Sequence, residues 1–386
     1  MREVIVFSYG DARDPQTWSN VPYCATKALE KKGWIVHYEN IGPQNRVERI
    51  LRNLYNKCSR LIRGKSTLIL AEQSLAVRRK NRHIVKKAAE RFPNSDLMLF
   101  FSYSVNGNGL TCIPSVLFCD FTIEYAISNI YRREPTVLEK KLIRSQDEII
   151  KSSELVISLF PNATKHYRQY YHGNENFYGI SGHIINCLTE LPPKEMAIAK
   201  KYESTRIVFV GRRKYKKAAL TLLEAVRDYN AAHEQKLTVD VIGMSANELG
   251  VEYGDISEMH GVLNKGNELD KHKYYSIIMQ AKCVVNTSAN WAGISSIVES
   301  MWLYTPAITS AYKDFVDIFG EDISFGKYCE AENEEDLRKT LEWLFQQKTT
   351  EYEKMCNEAN AAVESFTWDN CIGKVIDEWN LRGLIK

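Results

Sequence analysis

No apolar run in this 386-residue chain reaches the length needed to cross a bilayer, which argues against a membrane span. The nine cysteines (24, 58, 112, 119, 187, 283, 329, 356 and 371) are odd in number and contain no Cys-x-x-Cys pair. That pattern excludes a disulfide scaffold and leaves reduced thiols as the reading. The eight histidines (37, 83, 166, 172, 183, 233, 260 and 272) lack metal-ligand spacing, so no metal is expected. Neither a repeat nor a low-complexity tract interrupts the chain. The opening REVIVFSYG runs straight into a strand without a leader pattern, so a cytoplasmic chain is expected. With 44% hydrophobic and 26% charged residues, what remains is an ordinary globular protein long enough for two domains.

The net charge of +3 conceals an uneven distribution. Between Gln44 and Arg91 stand fourteen Lys and Arg against three Glu. Within this stretch Val47, Ile50, Leu51, Leu54, Cys58, Leu61 and Ile62 recur at helical spacing. The segment 44–91 is therefore either a solvated helix face or a surface for peripheral contact with an anionic membrane. No nucleic-acid-binding motif accompanies the charge, and no nucleic acid is expected as a partner.

Apolar runs bounded by turn residues alternate with helical patterns through most of the chain. The strand candidates are EVIVFS, WIVHY, STLIL, LMLFF, PSVLFC and LVISLF, then RIVFVG, LTVDVIG, KCVVNTS and PAITS. Such alternation predicts an α/β protein with parallel sheets covered on both faces. The Pro-Pro pair and charged residues around 187–204 mark a break. They divide the chain into a first doubly wound domain over 1–190, a linker over 191–204, a second over 205–366 and a closing helix over 367–386. Ligands in such folds bind beyond the carboxyl ends of the strands, so the expected site lies in a cleft between two facing domains.

The densest chemical signal runs from Arg206 to Val226. A strand, RIVFV, is followed by Gly211, Arg212 and Lys217, and then by an amphipathic helix. Glycine permits a sharp turn, and a helix N-terminus with two cations beside it suits a phosphate or diphosphate. A basic loop exposed to water is the alternative. Further on, WAGISSIVESMWLYTPAITS supplies a second helix and strand with one carboxylate, Glu299. Ile297 and Val298 beside it suggest a buried helix, where an unpaired carboxylate would be costly. A surface carboxylate is the competing reading.

These residues resemble the retaining GT-B glycosyltransferases of family 4. Gly211-Arg212 and Lys217-Ala218 match that family's Gly-Arg and Lys-Gly, with alanine for the last glycine. VDVIG ends at the matching Gly243, and His260-Gly261-Val262-Leu263 matches a following turn. Glu299 and Thr305-Pro306 match the later part of the family's two-glutamate signature, while its first glutamate falls on Trp291. In the first half, WSNVPY is similar to a Trp-Ser-Gly-x-Pro-Tyr segment, with Asn20 replacing glycine. PSVLFCDFTIEY is similar to a strand ending in Asp-x-Thr at Asp120 and Thr122.

The resemblance implies two Rossmann-like domains and transfer of a sugar from a nucleotide-diphosphate donor, UDP- or GDP-linked, to a saccharide or lipid-linked saccharide acceptor. It implies retention of configuration, the leaving diphosphate itself taking the acceptor proton. Surface polysaccharide or glycolipid synthesis at the inner membrane face is the setting it suggests. Arg212 and Lys217 would stabilise charge growing on the diphosphate, and Glu299 would accept the ribose hydroxyls. Gly211, Gly243, Val262 and Leu263 would complete the nucleotide pocket. Trp291, Gly293, Ile294 and Ser295 would meet the donor phosphate or sugar. Asp120 would face the reacting sugar, with a helix N-cap as the alternative. Gly10 and Asn20 would approach the donor, although a plain turn and cap produce the same residues. No Asp-x-Asp occurs, which argues against a metal-dependent transferase, and no cofactor is expected. Trp291 keeps two alternatives open: an epimerase or phosphorylase on the same fold, and a non-catalytic binding subunit.

Overall fold

The computed structural model describes the chain apart from residues 65, 181, 182, 251, 252, 290–293 and 386. It divides into two compact units, residues 1–182 with 368–386, and residues 183–367. Each is built on a six-stranded sheet in which every pairing is parallel.

In the first unit the strands are β1 (Glu3–Ser8), β2 (Ile35–Asn40), β3 (Leu97–Phe100), β4 (Ser115–Cys119), β5 (Leu155–Ser158) and β6 (Phe177–Gly179). Their order is β2-β1-β3-β4-β5-β6. Val4, Ile5, Val6 and Phe7 are fully buried, as a run apolar on both faces requires when helices cover both sides of a sheet. The last helix, Trp368–Leu381, belongs to this unit although the chain reaches it after the second. Trp379 is wholly buried and meets Trp34 edge to face at 5.5 Å, and Lys31 pairs with Asp369.

The second unit holds β7 (Arg206–Val210), β8 (Thr238–Ile242), β9 (Ser257–Gly261), β10 (Cys283–Asn286), β11 (Ala307–Ser310) and β12 (Gly326–Cys329), in the order β12-β11-β10-β7-β8-β9. In both sheets the order reverses beside the first strand, between β1 and β3 and between β7 and β10. Loops leaving the two strands at such a reversal diverge to opposite faces and open a crevice at their carboxyl ends.

Two sequence expectations differ from the fold. Ser66–Leu70 is no strand, because side chains take its backbone groups. Leu68 donates its amide to Glu139 Oε1 at 3.1 Å, and Ile69 accepts from Ser59 Oγ at 2.6 Å. The segment Lys194–Tyr202, within the expected linker, is a helix that buries Ala197 and Ile198 in the second core. The short strands β6, β9 and β12 were also not expected.

That helix carries Lys201, fully buried, with its ammonium on Ile278 O at 2.8 Å and Thr305 Oγ1 at 2.9 Å. Burial lowers its pKa to about 7. A lysine depressed on folding costs stability as pH falls from its ordinary value towards 7, and the cost is constant below that. Lys201→Met therefore gains stability relative to the native chain at pH 7 and gains less at pH 9. Paired thermal or denaturant melts should show the gap narrow by on the order of 2 kcal/mol.

Candidate functional site

The strand ends at the β7–β8 edge of the second sheet are held together by glycines. Gly211 donates to Ile242 O at 2.9 Å, and Gly243 to Gly261 O at 2.6 Å. Gly243 has φ of +104°, and a Cβ there would stand 2.5 Å from the carbonyl oxygen of Gly211. Only glycine permits both the left-handed backbone and so close an approach.

From Gly211 the chain makes a single tight turn, Arg213–Tyr215, and enters the helix Lys216–Ala232. No side chain caps that helix and no acidic residue lies in its first turn. Its opening amides keep their donor capacity, at the positive end of the helix dipole. Arg212 is exposed and has no ion-pair partner among the described residues. Lys217 is 76% exposed and pairs with Glu332 at 2.6 Å. Glu332 has φ of +54° and donates its amide to Thr287 O at 3.0 Å, beyond the end of β10. Thus the loops after β7, β10 and β12 meet at the reversal in strand order. An exposed ion pair is worth at most about 1 kcal/mol, so a diphosphate can displace Glu332 from Lys217.

Glu299 lies on the helix Ile294–Trp302 and is 2% exposed. Its carboxylate is fully engaged: Lys265 Nζ reaches both oxygens at 2.7 Å, Tyr275 donates to Oε1 at 2.8 Å and Tyr274 to Oε2 at 2.9 Å. Two oxygens offer about four acceptor positions, and four bonds fill them. The buried carboxylate is therefore paired within the chain, which removes burial as an argument that it awaits a ligand. Lys265 also sits 4.5 Å from the centre of the Tyr274 ring. Burial, and then the charge of Glu299, push the Tyr274 phenol far above its ordinary range and hold it as a donor.

Val262 and Leu263 follow β9 on the same carboxyl edge, Val262 with 61% of its surface exposed. Ile294 is buried, and Ser295 Oγ lies 3.4 Å from Nε2 of His183. Burial lowers the His183 pKa to about 4, so its imidazole is neutral. Trp291 and Gly293 lie outside the described residues. Lys265, Tyr274, Tyr275, His183 and Glu332 carried no sequence signal; only a carboxylate in an apolar helix hinted that partners such as the first three must exist.

In the first unit, Asp120 follows β4 and its carbonyl accepts from Ser158 Oγ at 3.3 Å. The cap of the next short helix is Thr122, whose hydroxyl accepts from the Tyr125 amide at 3.1 Å, so the N-cap reading of Asp120 is replaced. Gly10 donates to Asn40 Oδ1 at 3.0 Å beyond the end of β1. Trp18, Ser19 and Asn20 are all left-handed, with φ of 41°, 53° and 71°. Asparagine tolerates that region better than most residues, which accounts for its standing where the resembling family has glycine.

Among the described residues one group, Asp240, Glu258 and His260, brings metal-ligand atoms within 4.8 Å of one another. Arg206 already supplies the positive charge there, at 2.7 and 2.6 Å from Asp240 and 2.9 Å from Glu258.

Comparison with known proteins agrees with this geometry. Residues 193–362 match the family model of the glycosyl transferases group 1. Solved structures match over nearly the whole chain. Sucrose-phosphate synthase from Thermosynechococcus elongatus is 14% identical, covers 99% of both chains and has a TM-score of 0.68. Anabaena HepE, solved with UDP and glucose, is 12% identical over 98% of this chain and 100% of its own, with a TM-score of 0.61. WaaG, a glycosyltransferase involved in lipopolysaccharide biosynthesis, is 12% identical over 98% and 99%, also at 0.61. No curated protein sequence matches significantly. The fold is GT-B, and its class is the glycosyltransferase. Residues 193–362 belong to the glycosyl transferases group 1.

Removing the charge of Glu299 strands the ammonium of Lys265, which is only 19% exposed. Glu299→Gln is expected to destabilise the fold by about 2–3 kcal/mol in chemical denaturation. A loss below about 0.5 kcal/mol would mean that the cluster does not hold the second unit together.

Proposed function

We propose that the chain transfers a sugar from a nucleotide-diphosphate donor to a hydroxyl acceptor with retention of configuration. The observation that carries this reading is the uncapped helix N-terminus after Gly211, flanked by Arg212 and Lys217 at the reversal of strand order. As the glycosidic bond breaks, negative charge accumulates on the diphosphate. Cations and amides already aimed there stabilise that charge more than they stabilise the bound donor. Arg212 holds two oxygens with its planar fork, and Lys217, once Glu332 is displaced, adds a point charge. No metal is required for this electrostatic work.

Glu299 holds the ribose by exchanging one of its present bonds for a ribose hydroxyl. Val262 and Leu263 give the base an apolar ledge. Ser295, with Ile294, Gly293 and Trp291 around it, serves the donor phosphate or sugar. In the first unit, Asp120 binds sugar hydroxyls, and Gly10 and Asn20 serve the donor phosphate or the acceptor. The complex of HepE with UDP and glucose supports a UDP-linked donor. The printed role of WaaG supports a saccharide or lipid-linked acceptor in surface polysaccharide or glycolipid synthesis. None of the nine cysteines forms a disulfide, which suits the cytoplasm.

Arg212→Ala is expected to lower turnover of the nucleotide sugar by about ten- to a hundredfold, from the roughly 1.5–3 kcal/mol of a charged hydrogen bond, with no change in melting temperature. Unaltered steady-state kinetics would refute the clamp. Glu332→Gln frees Lys217 and should tighten UDP binding up to about fivefold by calorimetry. The ribose role separates from the diphosphate role in a third measurement. Well below its melting temperature, Glu299→Gln should bind UDP more weakly yet bind inorganic pyrophosphate as before. Equal loss of both ligands would count against a ribose contact.

A further inference from the structure

The helix Arg46–Arg63 is attached to its unit by its polar side. Only Arg52 and Ser59 are buried on it. Ser59 Oγ donates to Ile69 O at 2.6 Å, and Asn56 Oδ1 accepts from the Ala71 amide at 2.7 Å. Its one acidic residue, Glu48, is tied to Arg52 and, at 2.5 Å, to Lys80. The apolar stripe faces the other way. Val47, Ile50, Leu51, Leu54, Leu61 and Ile62 are 65, 55, 61, 57, 76 and 77% exposed. A helix packed on a globular core normally buries this stripe. At 100° per residue, Arg46, Arg49, Lys57 and Arg60 form a band along one side of the stripe, and all four are exposed.

The apolar ground extends past the end of the helix. Arg63 shares the lining of a cavity of about 480 Å³ with Val137 and Leu138, which are 75 and 47% exposed. Arg79, Arg82, Lys86 and Lys87 on the helix Leu75–Arg91 add exposed positive charge. No helix among the described residues is long and apolar enough to cross a membrane.

We infer that the helix Arg46–Arg63 is an interfacial anchor: it lies in the headgroup layer of an anionic bilayer, leucines and isoleucines towards the acyl chains and the basic band on the lipid phosphates. The charge selects the occupant. A protein partner for this stripe would have to be acidic along one flank and apolar along the other. A second copy would bring basic band against basic band. An anionic bilayer offers apolar depth and negative charge together. This inference does not rest on the assignment of donor or acceptor.

The test is flotation of the full chain with vesicles of phosphatidylcholine, or of phosphatidylcholine mixed with phosphatidylglycerol. Binding to the mixed vesicles alone is expected. Leu54→Gln with Leu61→Gln should reduce it by more than about tenfold. Arg49→Gln with Lys57→Gln should reduce it about fivefold for each cation removed, and high salt should do the same. All four side chains are exposed, so melting temperature and UDP binding should match the native chain. Failure to float with either vesicle, equal flotation with both, or flotation unaffected by the leucine changes would overturn the inference. So would a solution dimer, seen by sedimentation, that the leucine changes dissolve.

Discussion

Parallel pairing is the constraint from which the rest follows. When every strand in a sheet runs one way, all carboxyl ends emerge on a single edge, and the returning chain must cross a face as a helix. In the second unit that rule puts Gly211, Gly243, Gly261 and Asn286 at successive strand ends along one edge. Residues far apart in sequence thereby become neighbours, as Lys217 and Glu332 do at 2.6 Å. The reversal of order between β7 and β10 then leaves a crevice beside a helix whose opening amides no side chain caps.

The charges around that crevice are in different states of readiness. Arg212 stands exposed without an ion-pair partner among the described residues, and Lys217 is held by one weak, solvent-exposed pair. Glu299 is the opposite case, buried with every acceptor position filled. A ligand meets little resistance at the first two and must exchange bonds at the third. The same carboxylate therefore supports the packing of its own unit and is a candidate for recognition.

The first unit shows how far polarity can depart from the usual arrangement when a surface has another task. Helix Arg46–Arg63 reads in sequence like any amphipathic helix, since periodicity reports a stripe and not the direction in which it points. Hydrogen bonds from Ser59 and to Asn56 turn it outward. Those bonds join helix to a neighbouring extended segment, the same Ser66–Leu70 that apolar content alone suggested as a strand.

Local pattern was enough to identify two α/β halves, most of the strands and the Gly-Arg…Lys turn, because parallel strands buried on both faces are apolar throughout and a tight turn needs glycine. It also located Glu299 on an apolar helix. Pattern could not supply the partners of that carboxylate, since Lys265 and Tyr274 reach it only when β9 and the helix Glu268–Gln280 pack against Ile294–Trp302. It could not assign the cap after β4 to Thr122 rather than Asp120, two residues apart, because capping depends on where the helix begins. Nor could it show that Lys194–Tyr202 is packed helix, or that residues 368–386 return to the first unit. Those outcomes were decided by tertiary burial, which brings together side chains that no spacing along the chain records.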